Sequence, residues 1–206
     1  MFADALHGDV MKPFSYYDLV EAFAQPGCAI CRLLQADARR FLESVFFEYV
    51  TDRDVQGAFR ASRGLCNLHG GQLRDLKVGN NGVAILYEQA LHEIVTLLED
   101  LPHLPAQERV LGRLFGMQAH PQGEQIAHDL AAQEPCMCCA ALDAGEKQYL
   151  AVLAEATSGE ALRDAYLKST GLCLPHFRGL LTQLDDLDQV LVFVEKQKAV
   201  WSSLIA

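Results

Sequence analysis

Apolar residues recur along this chain with a helical period. Leu34, Ala38, Phe41, Leu42, Val45 and Tyr49 fall at i, i+4, i+7, i+8, i+11 and i+15, which places them on one face of a 3.6-residue helix. No run shows the strict alternation of a half-buried strand. The pattern predicts a lead-in helix over about 16–25, a long helix from Cys28, a short amphipathic helix over about 53–61, a helix from Cys66 and a closing helix over about 81–100. The same order is predicted again, with helices over about 122–133, from Cys136, over about 159–168, from Cys173 and over about 186–205. Pro102, Pro105 and Pro121, with Gly112, Gly116 and Gly123, interrupt the stretch between the two sets. The expected organisation is all-α: a first repeat over 1–101, a linker over 102–121 and a second repeat over 122–206, each repeat having about five helices.

The two sets are copies of each other. Cys28-Ala-Ile-Cys31 returns 108 residues later as Cys136-Met-Cys-Cys139, and Cys66-Asn-Leu-His69 returns 107 residues later as Cys173-Leu-Pro-His176. Leu34, Phe41, Leu42 and Val45 match Leu142, Tyr149, Leu150 and Leu153. Past the one-residue loss near Thr51–Gln56, Val55 matches Leu162 and Phe59 matches Tyr166. Val83, Leu86, Ile94 and Leu97 answer to Val190, Phe193, Trp201 and Leu204. Chance does not align two ligand pairs together with their apolar frame.

Residues spaced C-x2-C or C-x2-H can reach one ion from a single turn of backbone, and a tetrahedral zinc needs four such donors. Each repeat holds two pairs, so two Zn²⁺ per chain are expected, with ligands Cys28, Cys31, Cys66 and His69 in the first repeat and Cys136, Cys139, Cys173 and His176 in the second. Closure within a repeat is preferred over a clasp between repeats because the shorter loop loses less entropy. Four protein donors leave no place for a reactive water, so the metal is read as structural. Pro26-Gly27, Glu134-Pro135, Gly64 and Gly171 precede the pairs and set each at a helix start, where free N–H groups favour thiolate. Three other readings stay open. Buried free cysteine can be core filling. A redox dithiol would lack the usual βαβ setting and leave the CxxH pairs unexplained. A Cys3His set can also hold an iron–sulfur cluster. Cys138, where the first repeat has Ile30, is read as a packing residue or spare thiol ahead of an alternative ligand. His7, His92, His103, His120 and His128 have no repeat counterparts and are read as surface or core histidines. Glu43, Glu48, Glu88 and Glu93 are read as a solvated face, and no glycine-rich phosphate loop, zincin helix or G-x-S-x-G elbow occurs.

Composition narrows the classes. Half of the 206 residues are apolar and 21% charged, enough for a substantial core. Seventeen basic against 27 acidic residues leave a net charge of −10, which argues against nucleic acid and anionic membrane surfaces as partners. The N-terminus lacks a basic segment followed by an apolar one, and no run is long enough to span a membrane. A cytoplasmic setting is therefore expected, where seven cysteines stay reduced and call for metal, catalysis or packing.

In Cys28-Ala-Ile-Cys31-Arg-Leu-Leu, Ser62-Arg-Gly-Leu-Cys66-Asn-Leu-His69, Gly171-Leu-Cys173-Leu-Pro-His176 and Ala84-Ile-Leu-Tyr-Glu88, the chain resembles a family of uncharacterised bacterial proteins. That family has the order CxxC, GxCxxH, CxxC, GLCxPH over about this length and is catalogued as a domain of unknown function. The resemblance implies the fold and the ligand positions and no activity. Cys138 departs from it, as does Gly70-Gly71, which would loosen the helix after His69. The functional expectation is a binding or interaction module for a protein or small molecule, with the groove between the repeats as the binding surface. The alternative is a thiol-based redox or metal sensor using the same cysteines. Enzyme activity is disfavoured, since no acid, base or nucleophile set recurs beyond the ligands.

Overall fold

Short polar signals start and stop the helices. Asp52 caps one helix by accepting from the amides of Asp54 and Val55, both at 3.0 Å, and Asp186 caps another through Asp188 and Gln189. The computed structural model describes residues 12–76, 79–99, 122–156 and 160–205, and the expected linker, 102–121, lies outside them. Every regular element among the described residues is helical. The order is α1 (Phe14–Phe23), α2 (Ala29–Phe47), α3 (Arg53–Ala61), α4 (Asn67–Asp75), α5 (Asn80–Glu99), α6 (Gln122–Leu130), α7 (Met137–Ala154), α8 (Ala161–Lys168), α9 (Leu174–Leu181) and α10 (Leu187–Leu204). Lengths of 10, 19, 9, 9 and 20 residues are answered by 9, 18, 8, 8 and 18, as the internal repeat requires. Gly70-Gly71 does not break α4, which runs on to Asp75.

The compact units, however, are not the two repeats. One unit comprises the chain up to Asp37 and from Leu142 onward; the other is Ala38–Ala141. We call them the terminal and central units after their places along the chain. The repeats expected from sequence, 1–101 and 122–206, are thus not coextensive with the compact units. The reason lies in α2 and α7. A helix of 18 or 19 residues is about 27 Å long, so its two ends serve different surroundings. The first turns of α2 contribute Ala29 and Ile30 to the terminal core, while Phe46, near its other end, packs edge-to-face on Phe59 of the central unit at 5.9 Å. Likewise α7 has its CxxC in the central unit and places Leu150 and Leu153 in the terminal core.

In the terminal unit, Leu19 and Phe23 of α1, Leu162 and Tyr166 of α8, Leu180 of α9 and Phe193 of α10 are fully or almost fully buried. Tyr166 sits between Phe23 and Phe193, with ring centroids at 5.5 and 4.9 Å. In the central unit its repeat counterpart Phe59 sits between Phe46 and Tyr87, the latter at 5.0 Å. Each unit thus has one aromatic hub at the same repeat position, with aromatic packing beyond plain area burial. Arg63 ties α5 and α6 into the central unit by pairing with Glu93 and donating to the carbonyl oxygen of Asp129 at 3.2 Å. Glu93, expected on a solvated face, is an ion-pair partner of both Arg60 and Arg63.

Gly82 on α5 lies against the backbone of α2, where a β-carbon would run into the carbonyl oxygen of Phe46 and press on Val50. Alanine is favoured over glycine in a helix by about 1 kcal/mol, but a backbone carbonyl cannot swing aside, and overpacking costs about 1–3 kcal/mol. Gly82→Ala is expected to destabilise the protein, against the helix-propensity trend. Denaturant unfolding of the variant and parent checks the sign.

Candidate metal centres

Cys66 and Cys173 occupy the N-cap positions of α4 and α9 without spending their side chains on a cap hydrogen bond. What delivers them is a turn only glycine makes without strain: Gly64 and Gly171 have φ of 91° and 75°. One helical turn later His69 and His176 come back to the same side. The CxxC pairs arrive from the starts of α2 and α7. In the terminal unit the two loops are bonded directly, with the Gly27 amide donating to Thr170 Oγ1 at 2.8 Å. In the central unit the carbonyl oxygen of Ala61 accepts the Gln133 amide at 2.8 Å and the Glu134 amide at 3.3 Å.

The eight residues expected as ligands form two groups of four, each within a single compact unit. Cys28, Cys31, Cys173 and His176 converge in the terminal unit, and Cys66, His69, Cys136 and Cys139 in the central one, with the donor atoms of each group all within 4.8 Å of one another. His176 Nδ1 lies 3.3, 3.3 and 3.1 Å from the sulfurs of Cys28, Cys31 and Cys173. His69 Nδ1 lies 3.3, 3.6 and 3.3 Å from those of Cys66, Cys136 and Cys139. The CxxC of each repeat therefore meets the CxxH of the other, and the expectation of closure within a repeat is corrected. The entropic preference behind that expectation is small. Cys31 and Cys173 are 142 residues apart, against 35 between Cys31 and Cys66. Two doublings of loop length cost about 1.2 kcal/mol. The length of α2 decides instead, because it places Cys28 and Cys31 at the end of the helix remote from Phe46 and Phe59.

The donor sets fit a tetrahedral dication. Zinc bonds of about 2.3 Å to sulfur and about 2.0–2.1 Å to nitrogen imply S···S edges of about 3.8 Å and S···N edges of about 3.6 Å. The sulfurs of Cys31 and Cys173 are 3.6 Å apart and those of Cys66 and Cys139 3.7 Å apart, much too far for a disulfide. The electrostatics agree. Burial works to raise the thiol pKa of Cys28, but the hydrogen bond with His176 and backbone bonds to Cys173 and Cys31 outweigh it, and the net direction is down. At Cys66 burial is likewise outweighed, first by a backbone bond to His69. Cys139, and Cys31 although its residue is exposed, are pushed up to about 12 by partial desolvation of the sulfur, then by hydrogen bonding and charge from the neighbouring sulfurs. Crowded thiols resist ionising together, and a dication supplies the opposite charge that lets all three do so. Burial lowers the pKa of His69, which favours the neutral imidazole a metal would require. His176 is raised, first by its bond to Cys28.

Cys138 is fully buried, as is its repeat counterpart Ile30, and stands outside the four-donor group. Burial first, then the charges of neighbouring sulfurs, push its thiol up to about 12. His92 and His128 are exposed, and His7, His103 and His120 lie outside the described residues. Two supporting residues escape the sequence reading. Gln197 of α10 is fully buried and accepts the Leu172 amide at 2.9 Å, bracing the turn that presents Cys173. Its signal is a lone polar residue in the apolar series Val190, Phe193, Val194 and Trp201. Glu146 of α7 places Oε1 3.5 Å from His176 Nε2, and no spacing rule distinguishes it from other helix-surface carboxylates.

No curated protein and no solved structure matches the chain. A family model does, over residues 19–201, a span that takes in both four-donor groups. The chain belongs to DUF6062, a family of unknown function.

Proposed function

We propose that this protein is a zinc-stabilised helical module that works by binding a protein or small-molecule partner, with one structural Zn²⁺ in each unit. The observation that carries the reading is the closed donor set: three sulfurs and one imidazole nitrogen around each centre, with no position left for a reactive water. The metal holds together helix starts that are far apart in sequence, which suits a scaffold better than a catalyst. A net charge of −10 favours partners other than nucleic acid or an anionic membrane. No helix among the described residues is long and apolar enough to cross a membrane. Seven cysteines with no disulfide among them suit the reducing cytoplasm. In the terminal unit an open apolar groove of about 390 Å³, lined by Phe177, Val194, Lys198, Trp201, Ser202 and Ile205, offers exposed apolar surface to a partner.

Native mass spectrometry of the purified chain tests the metal assignment. Two zinc ions per chain are expected, still two in Cys138→Ser and one in Cys139→Ser. A count of zero, with iron absent and all thiols titratable, overturns it and leaves the cysteines as core filling.

One observation favours a second reading, the thiol-based sensor. Cys31 is exposed, whereas the ligands of the central unit are buried or half-buried. Peroxide reaching the terminal centre would oxidise two thiolates to a disulfide and release the zinc, itself being reduced to water. Zinc retention and free thiols after mild peroxide treatment exclude this reading.

A further inference from the structure

The two centres have the same donors but different surroundings. Both histidines present Nδ1 to their three sulfurs. A neutral imidazole that ligates through Nδ1 carries its proton on Nε2. In the terminal unit that nitrogen faces Glu146 Oε1 at 3.5 Å. In the central unit the position 108 residues earlier, the repeat counterpart of Glu146, is Ala38, which is buried and has no polar side-chain atom. There His69 is 2% exposed, and its Nε2 has no hydrogen-bond partner among the described residues.

Resting on the zinc reading, we propose that the centres are unequal: Glu146 is a positioning residue that orients His176, and the terminal centre holds its ion more tightly than the central one. A carboxylate on the far nitrogen of a ligating histidine fixes the tautomer and ring orientation and makes the bound nitrogen more basic; losing such a partner lowers metal affinity about 10–100-fold. In the central unit, ligation through Nδ1 forces a buried N–H with no acceptor among the described residues, so that centre binds at a disadvantage. The exposure of Cys31 acts differently. It opens the terminal centre to chelators and so speeds exchange, but it does not set the equilibrium.

Equilibrium competition between the full two-zinc chain and a chromophoric chelator separates the centres. Zinc is expected to leave in two steps at least about 10-fold apart, with Cys139→Ser abolishing the weaker step and Cys173→Ser the tighter one. Glu146→Ala should weaken the tighter step about 10–100-fold and so close the gap, while Glu146→Gln, whose amide oxygen stands where the carboxylate oxygen faced Nε2, should largely restore it. Nitrogen-15 spectra of the histidine side chains give a reading that a merely structural role would not move: the Nε2 proton of His176 is protected in the parent and in Glu146→Gln and exchanges rapidly in Glu146→Ala. Two ions of equal affinity, a tighter central centre, or a Glu146→Ala chain with unchanged affinity and spectra overturns the proposal while leaving two zinc ions in place. A chain that binds no zinc overturns the reading beneath it.

Discussion

A chain lacking Cys28, Cys31, Cys173 and His176 is expected to keep one zinc ion, and a chain lacking Cys28, Cys31, Cys66 and His69 to keep none. Each variant carries four substitutions, cysteine to serine and histidine to alanine, and both lose one CxxC and one CxxH. They differ only in whether the two pairs share a centre. With the observed grouping, the first variant empties the terminal centre and leaves Cys66, His69, Cys136 and Cys139 complete. The second takes two donors from each centre, and two remaining donors do not hold a tetrahedral ion. Closure within each repeat would reverse the two counts. Native mass spectrometry reads the stoichiometry, and cobalt substitution reports whether the remaining ion is tetrahedral and thiolate-bound.

Stripping both ions with a strong chelator is expected to unfold the protein at ordinary temperature. Structural zinc contributes about 10–16 kcal/mol of apparent binding free energy, against about 5–15 kcal/mol of net stability for a typical domain. The hydrophobic hubs at Phe59 and Tyr166 do not depend on metal, so residual helix is expected to survive. The loops before Cys66 and Cys173 are expected to depend on it. The hydrogen bonds that join them to the CxxC loops, at Ala61 and Thr170, are few. Far-ultraviolet circular dichroism should show a large loss of helicity and of the cooperative melt, both recovered on adding back zinc. A chelated chain that melts within a couple of degrees of the parent would show the metal to be peripheral.

Much of this protein is legible from residue order alone, because the information is local. A 3.6-residue apolar period is enough to place a helix, and the short helix expected over 53–61 is α3 at Arg53–Ala61. The eight ligand candidates are legible for a similar reason: a C-x2-C or C-x2-H pair is a property of one helical turn, and duplication shows it twice. What the pairs do not encode is which pair meets which. That depends on where the far ends of α2 and α7 are packed, through contacts such as Phe46 on Phe59 and Leu153 in the terminal core. Those contacts exist only in the folded chain. They outweigh the roughly 1 kcal/mol by which loop entropy favours closure within a repeat, and they put Asp37 and Ala38 of a single helix in different units. Glu146 and the Nε2 of His69, which has no partner among the described residues, are tertiary facts of the same kind. A carboxylate on a helix surface becomes a ligand's partner only when packing brings a histidine ring to it, and the repeat alone would have made the two centres identical.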